Sequence, residues 1–385
     1  MTDLLVVAGE ASGDRAGAAV IARLRSEVPN LRVFGMGGGA LEREGVELVA
    51  DLRDATAMGV AEVARRAAGV ALAYGRVRAA IASRRPRAAL LVNYTEFNTR
   101  LARDLWPAGV RVLWYGAPQT WAWRPGRAAP LRKLVDRMAV MLPFEESTWR
   151  GLGVDAHYVG HPALEELRRG AGARTTAREM LGMTPLASAV AILPGSRPHE
   201  VRRLLEPMLA GYEPVRRDLA SVDARVLLAS SLDARTREWA RAAAQKYGVD
   251  VVDVDARAGM AYMLPAFDVS LCASGTASLE CALARAVPII AYKVGFATEL
   301  GARALLATPW IGLPNVLLGR GAFVELLQRS AAATRISDEL GRVLDEREPF
   351  LRACDEVEVA LGDRAHASRE VARMIAPWLV HAAAS

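Results

Sequence analysis

The chain has 385 residues, with a hydrophobic fraction of 52% and a charged fraction of 24%. This length exceeds one ordinary hydrophobic core and fits two domains of common size, and the composition excludes an intrinsically disordered chain. The formal net charge of +6 favours anionic partners, but the basic residues are scattered and form no recognisable nucleic-acid-binding module, so we expect no nucleic-acid partner.

The N-terminal half alternates short apolar runs with helical stretches rich in Ala and Arg. The first helix is predicted from Arg15 to Val28. The strands predicted in this half are Leu4–Val7, Leu31–Phe34, Ala89–Asn93, Val110–Tyr115 and Arg137–Met141. This alternation of strand and helix is typical of a doubly wound parallel sheet.

The same rhythm begins again after a polar patch rich in Arg and Gly at Arg168–Arg178. The strands predicted in this half are Ala189–Leu193, Arg225–Ala229, Val249–Val252, Val269–Cys272 and Pro288–Ala291. We therefore predict an α/β protein with one nucleotide-type domain at 1–165, a second at 166–340, and a helical tail at 341–385. The two domains are expected to face a cleft, and the tail to pack on the first domain or on a partner subunit.

The chain lacks the features of a secreted or membrane-spanning protein. No apolar run approaches the roughly 18 residues that a spanning helix needs. The N-terminal run Leu4–Ala8 is short and has no basic segment before it, so it resembles a buried strand more than a signal peptide. The three cysteines are odd in number and far apart in sequence, which predicts reduced thiols. We therefore expect a cytoplasmic protein.

A glycine-containing turn, Gly9–Asp14, lies where the first predicted strand meets the first predicted helix. Glycines there would let a ligand approach the backbone, whereas the carboxylates of Glu10 and Asp14 would repel a phosphate. The turn therefore suits a sugar or an acceptor hydroxyl, with Gly9, Glu10, Ser12 and Gly13 as substrate contacts and Asp14 as a catalytic candidate. The alternative is a tight turn in which Asp14 only stabilises a helix start.

Leu193–Arg197 repeats this pattern at the first strand end of the second predicted domain. We predict that Gly195 and Ser196 offer backbone donors to a diphosphate and that the planar guanidinium of Arg197 binds it in two places.

A second helix start in the same domain, Ala273–Glu280, is rich in small and hydroxyl-bearing residues. Ser274, Gly275 and Thr276 are predicted to hold phosphate, and Glu280 to accept the hydroxyls of a ribose. Ordinary helix capping by Ser274 and Thr276 is the alternative. Two such turns on separate strands of one sheet favour a nucleotide diphosphate site.

In the first domain, Glu96 follows a buried strand and is the candidate general base for a sugar hydroxyl. An exposed loop acid without a catalytic role is the alternative. The nearby segment Trp114–Arg124 concentrates aromatic side chains that would stack on a sugar, cover an acyl chain or fill an interdomain core.

Taken together, several short strings make the chain resemble the lipid-A-disaccharide synthase family, in order and over essentially its whole length. The matching strings are Ala8–Asp14, Pro118–Arg124, Leu142–Glu145, Val159–Pro162, Leu193–Arg197, Ala273–Glu280 and Leu313–Asn315.

The resemblance implies a GT-B fold, an inverting glycosyltransferase and no metal or other cofactor. The implied donor is UDP-2,3-diacylglucosamine, and the implied acceptor is 2,3-diacylglucosamine 1-phosphate (lipid X), whose 6-hydroxyl attacks. Arg197 falls on the family's diphosphate arginine, and Glu280 and Asn315 fall on positions expected near the nucleotide. Peripheral association with the inner membrane is also implied, and a homodimer is left open.

Three positions depart from the family pattern. The segment around Asn93, Thr95 and Glu96 usually carries two aspartates and a proline, so the expected base has one extra methylene group. Ala117 replaces a common serine, and Met58–Val77 is rich in Ala and Arg where relatives carry an apolar docking surface. Three alternatives therefore stay open: a related transferase with another acceptor, a UDP-sugar epimerase, and a non-catalytic binding protein.

Overall fold

The computed structural model describes residues 2–51, 60–119, 129–170, 174–219, 221–255, 259–293, 308–364 and 366–380. The chain divides into two compact units. Unit 1 consists of Met1–Pro162 and Arg364–Ser385, and unit 2 consists of Ala163–Asp363. Each unit is built on one parallel β-sheet.

Unit 1 contains a seven-stranded sheet with the order β3-β2-β1-β4-β5-β6-β7. Its strands are β1 (Thr2–Ala8), β2 (Leu31–Gly37), β3 (Glu47–Asp51), β4 (Ala88–Val92), β5 (Arg111–Tyr115), β6 (Arg137–Val140) and β7 (Ala156–Tyr158). Its first six helices are α1 (Ala11–Glu27), α2 (Gly39–Arg43), α3 (Val60–Arg84), α4 (Thr95–Leu105), α5 (Leu131–Leu134) and α6 (Pro143–Gly151).

Both faces of this sheet are covered, which explains why its central strands are continuous apolar runs. Every residue of β4 is buried. Alternate residues of β1 face opposite layers: Leu4 and Val6 belong to one apolar cluster, and Leu5 and Val7 belong to another. The first cluster includes side chains of α1, and the second includes side chains of α3 and α4.

Unit 2 contains a six-stranded sheet with the order β10-β9-β8-β11-β12-β13. Its strands are β8 (Ser188–Leu193), β9 (Val222–Leu228), β10 (Asp250–Asp253), β11 (Val269–Ala273), β12 (Val287–Tyr292) and β13 (Glu325–Leu327). Helix α7 (Pro162–Gly170) crosses the boundary between the units. The helices that follow it are α8 (Arg174–Met180), α9 (Pro198–Asp218), α10 (Ala234–Lys246), α11 (Thr276–Leu283), α12 (Leu313–Leu318), α13 (Ala333–Asp345) and α14 (Arg347–Leu361).

The residues after 340 do not form a single tail. Helices α13 and α14 lie within unit 2, whereas the last helix, α15 (Ala367–Val380), belongs to unit 1. Trp378 of α15 lies under the guanidinium groups of Arg111 and Arg137, at 4.3 and 5.3 Å from the ring centroid. Arg137 also donates a hydrogen bond of 2.8 Å to the carbonyl of Met374, which anchors α15 on the sheet of unit 1.

A large polar cluster joins the amino-terminal end of the second sheet to the helices around it. Asp268 precedes β11, is buried, and accepts hydrogen bonds from the guanidinium groups of Arg174, Arg178 and Arg347 and from the amide of Ala189. It therefore connects α8, β8 and α14 through one carboxylate.

Two further observations concern the chain as a whole. No helix in the described part of the chain is long and apolar enough to cross a membrane. All three cysteines are free and buried, as the sequence predicted.

Candidate functional site

The turns after β1 and β4 lie side by side in unit 1. These strands are parallel neighbours whose last pair is Ala8 with Val92, so both chains leave the sheet at the same edge. The ring of Tyr94 rests directly on Gly9, because a Cβ atom there would lie 2.0 Å from the ring's Cγ. Gly9 is therefore required by this packing.

The turn before α4 holds two consecutive non-glycine residues in the left-handed region. The φ angles of Asn93 and Tyr94 are 47° and 49°, a conformation that costs on the order of 1–3 kcal/mol per residue. Hydrogen bonds stabilise it: the amide of Asn93 donates to the carbonyl of Tyr115 at 2.9 Å, and Nδ2 of Asn98 donates to the carbonyl of Asn93 at 2.8 Å. The ring of Tyr94 also stacks on Phe97, with centroids 5.2 Å apart.

This turn places Glu96 in the first turn of α4, where its side chain is exposed. Its position just beyond a buried strand is the one that the sequence predicted. The strained conformation is maintained by contacts on several sides, so the direction of the first turn of α4 is well determined. A carboxylate in that place has the exposure that a base for an incoming hydroxyl requires.

Asp14 differs from Glu96 in its surroundings. It is buried, and its carboxylate accepts hydrogen bonds from the amides of Gly38, Ala40 and Leu41 at 2.7, 2.8 and 3.3 Å. These three donors occupy both oxygens and join the start of α2 to α1. The predicted direct catalytic role of Asp14 is therefore corrected to a structural one.

The other predicted residues of the first turn lie at the start of α1. Glu10 is the exposed N-cap residue, Ser12 is half-buried, and Gly13 is buried. A Cβ atom on Gly13 would lie 3.4 Å from a methyl group of Val92, which shows how closely α1 approaches β4.

In unit 2 the turns after β8 and β11 are also adjacent, because these strands are parallel neighbours whose last pair is Leu193 with Cys272. The turn after β8 is stabilised by Glu200, whose Oε2 accepts the amides of Ser196 and Arg197 at 3.1 and 3.2 Å. Gly195 has a φ of 119°, and a Cβ atom there would lie 2.5 Å from the same Oε2.

The role predicted for this turn is corrected in one respect. The Ser196 amide, expected to bind phosphate, donates instead to Glu200. The side chain of Arg197 is 51% exposed and lies 3.4 Å from Oε1 of Glu200. Arg197 therefore remains the group of this turn that is best suited to an anion, and Glu200 is a site residue that sequence reasoning missed.

The turn after β11 leaves its backbone open. Gly275 is the N-cap residue of α11 with a φ of 143°, and a Cβ atom there would meet no atom of the described residues within 4 Å. Thr276 is exposed, Glu280 is half-buried in the second turn, and the hydroxyl of Ser274 donates to the carbonyl of Ile311 at 2.9 Å. An anion therefore has room to approach this helix start.

Asn315 is completely buried and uses its whole side chain within the protein. Its Nδ2 donates to the carbonyl of Phe323 and to Oε1 of Glu325 at 2.9 and 2.8 Å, and its Oδ1 accepts the Phe323 amide at 2.8 Å. Glu325 also accepts the amides of Ile311 and Gly312 at 3.0 and 2.9 Å. Asn315, which the resemblance places near the nucleotide, holds the segment to which Ser274 is bonded.

Two predicted segments fall wholly or partly outside the described residues. Of the segment Trp114–Arg124, the residues from 120 onwards, which include the tryptophans at 121 and 123, lie outside the described residues. Trp114 is described: it is fully buried, and its indole N–H donates to the carbonyl of Gly116 at 2.9 Å. Of Met58–Val77, the side chains are described from 68 onwards. There, Val70 packs against the core and Leu72 is 58% exposed.

The fold defines the class of the protein. Both sheets have the strand order of dinucleotide-binding domains, and two such units in one chain make the GT-B fold of nucleotide-sugar enzymes. The structure is similar to the UDP-GlcNAc 2-epimerase of Neisseria meningitidis bound to UDP-GlcNAc, with a TM-score of 0.67, 11% identity, and coverage of 97% of this chain and 99% of that one. It is also similar to MurG of Acinetobacter baumannii, with a TM-score of 0.54, 12% identity, and coverage of 98% and 99%.

The family follows from the sequence matches. Residues 4–375 match the family model described as lipid-A-disaccharide synthetase. The lipid-A-disaccharide synthase of Myxococcus xanthus is 39% identical over 369 residues, which cover 95% of each chain. The chain therefore belongs to the lipid-A-disaccharide synthetase family. These matches confirm the predicted family, its glycosyltransferase class and its place in lipid A biosynthesis.

Proposed function

We propose that the protein transfers the sugar of UDP-2,3-diacylglucosamine to the 6-hydroxyl of 2,3-diacylglucosamine 1-phosphate. The products are the β-1,6-linked disaccharide 1-phosphate and UDP. The observation that carries this proposal is the family match over residues 4–375. The features of each unit support it, because unit 2 carries adjacent turns suited to a diphosphate and unit 1 carries an exposed carboxylate on a constrained turn.

The proposed reaction is one displacement. The acceptor's O6 forms a bond to C1 of the donor sugar while the bond from C1 to the diphosphate oxygen breaks, which inverts the configuration. The O6 proton passes to the carboxylate of Glu96, and the electron pair of the broken bond leaves with UDP.

Fixed positive charge is the main requirement of the leaving group, since negative charge develops on the diphosphate as the bond breaks. In this proposal Arg197 and the start of α11 at Gly275 and Thr276 supply it, and Glu280 accepts the ribose hydroxyls. Glu200 and Asn315 act indirectly, by holding the two turns in shape. Gly9, Glu10, Ser12 and Gly13 form the surface on which the acceptor is proposed to lie.

The test is UDP release from purified protein with both acylated substrates, comparing wild type with Glu96→Gln and Arg197→Ala. We expect each substitution to lower kcat by about 100-fold or more, the typical contribution of a general base or of one fixed charge-stabilising donor. Matched controls are Glu348→Gln, an 80% exposed acid in the first turn of α14, and Arg217→Ala, a 73% exposed arginine at the far end of α9.

Each outcome has a distinct meaning. Absence of turnover by wild type contradicts the proposed reaction. Full activity of Glu96→Gln removes Glu96 as the base. Turnover of an unacylated UDP-sugar in preference to the acylated donor favours a transferase with another acceptor, and an isomerised UDP-sugar formed without acceptor favours an epimerase.

The proposal includes peripheral association with the cytoplasmic face of the inner membrane. Both substrates carry acyl chains, and the net charge of +6 favours an anionic lipid surface. We expect the protein to sediment with vesicles that contain phosphatidylglycerol and to be released by high salt. Equal binding to pure phosphatidylcholine vesicles would contradict the electrostatic part of this proposal.

A further inference from the structure

Lys293 lies at the end of β12, on the edge of the unit 2 sheet that carries the proposed diphosphate turns. β12 is the parallel neighbour of β11, and their last pair is Ala273 with Ala291. Gly275 and Lys293 each follow that pair by two residues, so both chains leave the sheet at the same edge. The strand on the other side of β11 is β8, which leads to Arg197.

Lys293 differs from the other two lysines of the chain, because Lys133 and Lys246 are exposed and Lys293 is half-buried. Burial lowers the pKa of Lys293, and no charged group in the described part of the chain contributes to that shift. The ammonium group is thus partly withdrawn from water with no counter-charge from those residues. A cation in this condition gains most from a bound anion, because the anion replaces the lost hydration.

The neighbouring residue shows which groups surround the end of β12. Burial raises the pKa of Tyr292, the negative charge of Glu200 raises it further, and the positive charges of Arg197 and Arg203 lower it. The Tyr292 hydroxyl therefore lies within electrostatic range of the first turn of α9. The turns after β8 and β11 and the end of β12 therefore share one edge of the sheet, since these are consecutive parallel strands.

We propose that Lys293 binds an anionic oxygen of the donor's diphosphate, as a second cation beside Arg197. This inference rests on the proposed UDP-sugar function and deepens it. The two cations would act differently: the arginine offers a planar fork, and the lysine offers a compact point charge on a flexible stem. Lys293 would thereby help to stabilise the charge that UDP acquires as it leaves.

The experiment compares the affinities for UDP and for uridine by isothermal titration calorimetry. The variants are Lys293→Met and Lys293→Arg, with Lys246→Met as the matched control on an exposed helix end. We expect Lys293→Met to weaken UDP binding by about 10- to 100-fold, as for the loss of one charge-assisted hydrogen bond. Uridine affinity should not change, and Lys293→Arg should recover part of the UDP affinity.

Two results would overturn this assignment while the proposed function stands. One is UDP binding by Lys293→Met that matches Lys246→Met. The other is an equal loss of UDP and uridine affinity, which indicates a structural role. If Lys293→Met loses UDP affinity and keeps the uridine affinity of wild type, the assignment holds even when no acylated substrate is turned over. If wild type does not bind UDP, both the assignment and the donor class are wrong.

Discussion

The contact between Gly9 and the ring of Tyr94 allows a direct test of whether the turn before α4 positions Glu96. In Gly9→Ala the new Cβ atom would lie 2.0, 2.2 and 2.5 Å from three carbon atoms of that ring. Carbon atoms in contact are separated by about 3.5 Å, so the ring and Gly9 would have to move apart by about 1.5 Å. Tyr94 is the N-cap residue of α4, so this movement shifts the first turn that carries Glu96.

The expected effect is larger on catalysis than on stability. Overpacking of this kind costs about 1–3 kcal/mol of unfolding free energy, which a domain of this size tolerates. A displacement of about 1 Å at a reacting group costs roughly 100-fold in rate. We therefore expect Gly9→Ala to fold, to bind UDP with unchanged affinity, and to lose about 100-fold in kcat for disaccharide formation.

The assay is steady-state UDP release, combined with thermal melting. Gly75→Ala in α3 is the matched control, because within the described part of the chain a Cβ atom there would have no neighbour closer than 4 Å. In a Tyr94→Ala background the ring is absent, so Gly9→Ala should cost little further activity. The reasoning is refuted if Gly9→Ala retains full activity, or if it costs as much without the Tyr94 ring as with it.

Three further predictions concern stability. Burial lowers the pKa of His161 from 6.5 to about 4. Acidification from pH 7 to pH 4 therefore protonates this histidine in the unfolded chain first. The unfolding free energy, measured by urea denaturation, should fall by up to about 3 kcal/mol over this range. Asp268→Asn should destabilise unit 2 by about 3–5 kcal/mol in the same assay, because three guanidinium groups lose their shared counter-charge. Asn315→Ala should cost about 1–3 kcal/mol and weaken UDP binding, since the amide and carbonyl of Phe323 lose their side-chain partner and Glu325 loses one of its three donors.

Each of these predictions has its own control. His161→Asn should flatten the pH dependence over that range, and an unchanged slope would remove His161 as its cause. Asp250→Asn, in which the replaced side chain is 79% exposed, should change the unfolding free energy by about 1 kcal/mol or less. An equally small effect of Asp268→Asn would contradict the role of Asp268 as the shared counter-charge of three arginines. A normal UDP affinity in Asn315→Ala would show that its network does not shape the turn at Ser274.

The extent to which the sequence predicted the fold depended on burial. Strands such as β4 and β11 are buried along their whole length, so their apolar runs were easily recognised. β3, β7 and β13 were missed for two reasons. β3 is an outer strand with only one fully buried residue among its five, and β7 and β13 have only three residues each, with the pattern Glu-Leu-Leu in β13. The division of the tail was also not predictable, since amphipathic helices of similar composition cover different units.

The candidate site was also predictable only in part from the sequence. The candidate residues were chosen because ligand-binding turns follow strand ends in this fold class, and strand ends can be read from the sequence. The partners of Glu325 and Asp14 could not be predicted, because these carboxylates bond to amides that only the folded chain brings near. Glu200 differs, since it bonds to amides three and four residues before it, which is a local capping pattern. Lys293 carries no glycine motif, so its strand end resembled an ordinary connection.

The central claim is the reaction itself, and the most direct measurement is the identity of its product. Wild-type protein with UDP-2,3-diacylglucosamine and 2,3-diacylglucosamine 1-phosphate should form one disaccharide 1-phosphate for each UDP released, as shown by mass spectrometry. The coupling of the new anomeric proton should indicate the β configuration. An α linkage, a product that lacks the acceptor, or release of UDP by hydrolysis alone would contradict the account.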